Sequence, residues 1–92
     1  MKIPSKFQFV FYRFYDGMYD TYSSFEEAIP NAVSIKDPQL HAEFSAYLDD
    51  LTSGQYTVKQ IYELWLNSGS AYAPRDGDGV LMILKLMRAA MD

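Results

Sequence analysis

Three helix-start signals punctuate the middle of this chain, and they constrain its fold more than any other feature. Ser24-Phe25-Glu26-Glu27 is a capping box, in which the Ser24 hydroxyl can accept from the Glu27 N–H while the Glu27 side chain returns the bond. Asp37-Pro38 joins a capping carboxylate to a proline at the first helical position, where the missing N–H would be unpaired anyway. Thr57-Val58-Lys59-Gln60 repeats the capping-box logic, with Thr57 and Gln60 as the pair. These signals predict a helix over about 25–33, which Pro30 can shorten or kink. A second is expected from 38 to 52, ended by Ser53-Gly54, and a third from 58 towards Gly69. Their apolar faces are expected to be Leu40, Phe44, Tyr47, Leu48 and Leu51 on the second, and Val58, Ile61, Leu64 and Trp65 on the third.

Two further helices complete the expectation. Phe7, Val10, Phe11, Phe14, Tyr15 and Met18 follow helical spacing over about 5–19, behind Pro4. Phe7, Phe9 and Phe11 also alternate, which suits a strand. That alternation stops at Arg13, whereas the helical stripe runs on to Met18. At the other end, Val80, Ile83, Leu84, Met87 and Met91 mark a last helix over about 79–90, with Lys85 and Arg88 towards the negative end of its dipole. The prediction is an all-α, single-domain bundle of about five helices covering 1–92. At 92 residues, two domains would each be too small to hold a core unaided. With no cysteine, the chain has no disulfide or thiolate chemistry and must rely on packing.

Charge is distributed unevenly. Between Phe14 and Glu63 lie nine acids (Asp16, Asp20, Glu26, Glu27, Asp37, Glu43, Asp49, Asp50, Glu63) and two bases (Lys36, Lys59), a net of −7. The remaining ends sum to +3, for −4 over the whole chain. Such a middle repels phosphate and attracts a basic partner, so nucleic-acid binding is not expected. No apolar run approaches the ~20 residues a membrane span needs, and the basic start lacks a small-residue cleavage site. A cytoplasmic protein is expected, with no membrane partner and no small-molecule ligand.

Motifs for catalysis are weak. Asp76-Gly77-Asp78-Gly79 suggests a calcium loop, but the twelfth position from Asp76 is Met87, inside an apolar stripe. A turn and helix cap explain it better. His41, the one histidine, has no partner at metal-ligand spacing, and a His on a polar helix face is usually only that. Adjacent acids at Glu26-Glu27 and Asp49-Asp50 point about 100° apart on a helix, so neither pair need form an acid/base dyad. There is no Gly-rich phosphate loop, nucleophile elbow or metal cluster. No enzyme activity, cofactor or metal is expected. Tyr12, Tyr15, Tyr19 and Tyr22 recur at helical spacing. A core edge is the plainer role for them, and a protein contact the sharper one, since tyrosine buries area while keeping a wet tip.

The order of these pieces resembles the small, all-helical family of contact-dependent growth inhibition (CDI) immunity proteins. The resemblance is carried by Phe9-Val10-Phe11-Tyr12-Arg13-Phe14-Tyr15-Asp16, Tyr22-Ser23-Ser24-Phe25-Glu26-Glu27-Ala28, Leu48-Asp49-Asp50-Leu51 and the helix through Trp65. Gly69, Tyr72, Pro74 and Asp76 then lead into the final helix. It covers nearly the whole chain, departing where a His and an acid in the family give way to Tyr and Gly. The resemblance implies an antitoxin-like immunity function: stoichiometric binding, in the bacterial cytoplasm, of the cognate toxin domain at the C-terminus of a large effector. Many such toxins are nucleases, whose phosphate-binding sites are basic. The family shares no catalytic residues. The candidate toxin-binding residues therefore follow from charge and aromatic placement: Tyr15, Asp16, Tyr19, Asp20, Tyr22, Glu26, Glu27, Asp49 and Asp50. A helical adaptor unrelated to toxins is the alternative.

Overall fold

In a computed structural model, residues 2–14, 25–72 and 74–91 are described. Among them the chain is all-α, with five α-helices and no strand. A 3-10 turn, Ser5–Phe7, leads into α1 (Gln8–Phe11), followed by α2 (Phe25–Ala32), α3 (Pro38–Leu51), α4 (Val58–Leu66) and α5 (Gly77–Ala90). The N-terminal aromatic stretch is therefore helical where it is described. α1 is shorter than its apolar periodicity suggests: instead of running to 19 it ends at Phe11. There the Arg13 and Phe14 N–H groups bond back three residues, to Val10 and Phe11, and close a tight final turn. Phe7, Val10, Phe11 and Phe14 are buried as their spacing requires, while Tyr15 and Met18 lie outside the described residues.

The start signals have the chemistry expected of them. The Asp37 carboxylate accepts from the N–H groups of Gln39 (2.9 Å) and Leu40 (3.4 Å), with Pro38 opening α3. At α4 the capping box is complete: Gln60 N–H donates to the Thr57 hydroxyl at 3.1 Å and Thr57 N–H donates to the Gln60 side chain at 2.9 Å. A cap of this kind contributes ~1 kcal/mol. Ser24 lies outside the described residues, and α2 carries Pro30 within it. α5 starts two residues before the expected position. Asp76 is its cap, accepting from Gly79 N–H at 2.8 Å, so the Asp-Gly-Asp-Gly run is a helix entry.

α5 is the central helix, in contact with α2, α3 and α4. Its expected face, Val80, Ile83, Leu84, Met87 and Met91, is fully buried. By Gly77 the chain is back beside Val58, so that α4 and α5 start side by side. Gly77 permits this approach: a Cβ there would lie 2.3 Å from the Val58 side chain and 2.4 Å from its carbonyl oxygen. Val58 is half exposed, unlike the rest of the stripe assigned to α4.

Aromatic rings tie the N-terminal segment to this frame. Phe7 stacks on Tyr47 (5.0 Å between centroids), Phe11 meets the edges of Phe44 (6.2 Å) and Trp65 (5.5 Å), and Phe14 meets Trp65 (5.4 Å). Edge-on rings at such distances add ~0.5–1.5 kcal/mol each beyond area burial. Trp65 satisfies its buried indole N–H by donating to the Tyr72 carbonyl at 2.7 Å, which straps the returning loop to the core. The Ser70 hydroxyl donates to the Phe14 carbonyl at 3.2 Å from the same loop.

Candidate protein-binding face

Nine candidate residues came from charge and aromatic placement, and four of them fall within the described structure. Tyr15, Asp16, Tyr19, Asp20 and Tyr22 lie outside the described residues. Glu26, Glu27, Asp49 and Asp50 are all exposed, as an interaction surface requires. They divide into two pairs at electrically opposite helix ends. Glu26 and Glu27 occupy the first turn of α2, where the dipole favours negative charge. Asp49 and Asp50 occupy the last turn of α3, where it disfavours them and where no base of the same turn compensates.

The unfavourable pair is held by partners distant in sequence. Arg88 of α5 donates from Nε to Asp49 at 2.8 Å. Asp50 accepts from the Gln55 side-chain amide and, at 2.9 Å, from the Tyr56 hydroxyl, both on the connection to α4. Donating that bond to the Asp50 carboxylate, whose charge also lies close, pushes the Tyr56 phenol above its ordinary pKa. The neighbouring Tyr47 phenol is pushed up to about 12, chiefly by burial and then by the proximity of Tyr56 and Asp50. A third acid, Glu43 on α3, accepts from Lys6 at 2.8 Å and from Gln39 at 3.2 Å. Those bonds hold its carboxyl below the ordinary range.

Sequence reasoning missed Arg13. Its Nη1 donates to the carbonyls of Ser34 (2.8 Å), Ala32 (3.0 Å) and Asn31 (3.5 Å), at the end of α2, while its guanidinium sits 4.9 Å from the centre of the Phe9 ring. A cation there satisfies end-of-helix carbonyls and complements the dipole. Arg13 thus fixes the helix whose other end presents Glu26 and Glu27. The one available signal was a base isolated within an aromatic run.

Apart from Tyr12, already singled out by its spacing, exposed apolar groups were also missed. Tyr12, Val58, Leu66 and Met82 are large and at least 45% exposed. Val58 and Leu66 are eight residues apart on α4, with half-buried Tyr62 midway, so the three form a stripe along one side of that helix. His41 is half-buried on α3. Among the described residues there is no group of three or more His, Cys, Asp or Glu placed to hold a metal ion, and no helix long and apolar enough to cross a membrane. No family model, curated protein or solved structure matches this chain.

Proposed function

We propose that this chain is an immunity protein of the contact-dependent growth inhibition type, which binds and neutralises a cognate toxin domain stoichiometrically, without catalysis, in the cytoplasm. The observation that carries the proposal is the −7 charge between Phe14 and Glu63. A nuclease toxin is basic where it holds phosphate, and an acidic inhibitor gains in association rate and in specificity from that complementarity. Glu26 and Glu27 suit the role because they are exposed and their helix favours their charge. Asp49 and Asp50 lie in the same acidic stretch with part of their hydrogen-bonding capacity already used. Tyr15, Tyr19 and Tyr22 are the proposed anchors, with Asp16 and Asp20 adding charge between them, since a few aromatic residues usually dominate an interface.

The exposed stripe of Val58, Tyr62 and Leu66 favours the alternative, a helical adaptor whose contact is mainly apolar. Titration calorimetry against the toxin domain encoded immediately upstream, at low and high salt, separates the two. The expected result is a one-to-one complex of nanomolar affinity that weakens as salt rises. Tight but salt-insensitive binding would keep immunity and move the contact to the apolar surface. No binding, or no such neighbouring toxin, would leave the adaptor.

A further inference from the structure

One basic groove stands out in this acidic molecule. About 480 Å³ in volume, it lies between α1, the end of α2 and the start of α3, and is lined by Phe9, Arg13, Asn31, Ser34, Ile35, Lys36, Asp37 and Leu40. We propose that it binds the free C-terminal carboxylate of a peptide whose last residue is hydrophobic. This inference does not rest on the immunity proposal.

Charge complementarity is the first support. Arg13 makes all three of its carbonyl bonds, to Asn31, Ala32 and Ser34, through Nη1, which leaves the Nε and Nη2 hydrogens without partners among the described residues. Lys36 makes no hydrogen bond or ion pair among them. The single acid of the lining, Asp37, is engaged with the N–H groups of Gln39 and Leu40 at the start of α3. The groove therefore offers two cations with open donors, one of them a planar fork suited to a carboxylate.

Shape and apolar lining choose among anions. Phe9, Ile35 and Leu40 are half-buried apolar groups in the same groove, and Arg13 lies over the Phe9 ring. In a C-terminal residue, the carboxylate and an apolar side chain diverge from one carbon, which matches cations and apolar wall lying side by side. The groove is shallow, whereas small-molecule sites bury most of their ligand. An extended chain that continues along the surface fits it better.

The test uses the full chain, labelled with nitrogen-15, titrated with acetyl-Gly-Gly-Gly-Leu as the free acid and as the C-terminal amide. The free acid should shift the backbone amide signals of Phe9, Arg13, Ile35, Lys36 and Leu40, and should bind about tenfold more tightly than the amide. Lys36→Gln removes a side chain with no structural partner among the described residues, so it should weaken the free acid several-fold, leave the amide unchanged and leave thermal stability intact. Equal binding of acid and amide, shifts away from the groove, or no binding at millimolar peptide would overturn the proposal. So would an internal acid, acetyl-Gly-Leu-Asp-Gly-amide, binding as well as the C-terminal one.

Discussion

The two acid pairs look alike in sequence and differ in energetics. Glu26 and Glu27 stand in the first turn of α2, where exposed carboxylates each gain ~0.3–1 kcal/mol from the dipole. Asp49 and Asp50 stand in the last turn of α3, where the same charge costs a similar amount, offset by Arg88, Gln55 and Tyr56. Negative charge at the start of α2 thus stabilises its own helix and faces outward. At the end of α3 it ties that helix to α5 and to the connection that leads into α4. A shared role in steering a basic partner would agree with the helix dipole at the first pair, and at the second would compete with the bonds to Arg88, Gln55 and Tyr56.

The largest expected effect comes from breaking the clamp beneath the glutamate pair. Arg13→Ala removes a charged donor from the Asn31, Ala32 and Ser34 carbonyls and a cation from the end of α2. It should cost about 2–3 kcal/mol of stability in urea unfolding. Arg13→Lys, which keeps charge and loses the fork, should recover part of that. If Arg13→Ala left stability unchanged, α2 would be held by its apolar face alone. Next in size is the pair itself. Glu26→Lys with Glu27→Lys should weaken toxin binding about tenfold, ~1.4 kcal/mol, mainly through a slower on-rate and a flatter salt dependence. An unchanged affinity and salt slope would remove the glutamates from the interface.

What was legible in the sequence was local. The Asp37 and Thr57 caps act over two or three residues, so the residues that make the bond are also the ones that announce it. The buried face of α5 was readable for the same reason, as one helical period repeated. Long-range partners were not readable. α1 stops at Phe11 although apolar spacing continues, and Arg13 just beyond it turns to carbonyls about twenty residues away. α5 starts two residues earlier than its apolar stripe announces, because the cap is Asp76, ahead of the first apolar position. The close approach that requires Gly77 involves the backbone of Val58, which no local pattern reveals. Of the candidate site, exposure at the four described acids follows from charge, whereas Arg88 meeting Asp49 joins positions 39 apart.

The aspartate pair should respond in the opposite sense to the glutamates, with more change in stability than in binding. Asp50→Asn keeps an acceptor for Tyr56 but weakens a charge-assisted bond, and relieves repulsion with the helix end. The net cost should be about 0.5–1 kcal/mol. Asp49→Asn breaks an exposed pair with Arg88, for which ~0–1 kcal/mol is typical, and dipole relief brings its net close to zero. Toxin affinity should fall less for the two aspartate changes together than for the glutamate reversal. An equal fall would mean that the bonds to Arg88 and Tyr56 do not compete with the partner.

The smallest effect separates the two regions by pH, since only the aspartate end is packed beside a perturbed phenol among the described residues. Tyr47 is half-buried, stacked on Phe7, and has its pKa raised from 10.0 to about 12 in the folded state. Below pH 10 both folded and unfolded chains keep the proton, and the contribution is fully present. Between pH 10 and about 12 the unfolded chain releases the proton while the folded one retains it, so stability falls as pH rises. Tyr47→Phe keeps the ring on Phe7 and removes the titration. Its urea midpoint should decline less than that of the natural chain between pH 9 and 11, while the two run parallel from pH 7 to 9. Tyr56→Phe, which deletes the hydroxyl bonded to Asp50, should lower the midpoint already at pH 7 and also flatten the alkaline decline. Parallel decline in the natural chain and Tyr47→Phe would place the alkaline sensitivity elsewhere in the fold. It would also remove Tyr47 from the set of groups that make the end of α3 a structural site first and a binding surface second.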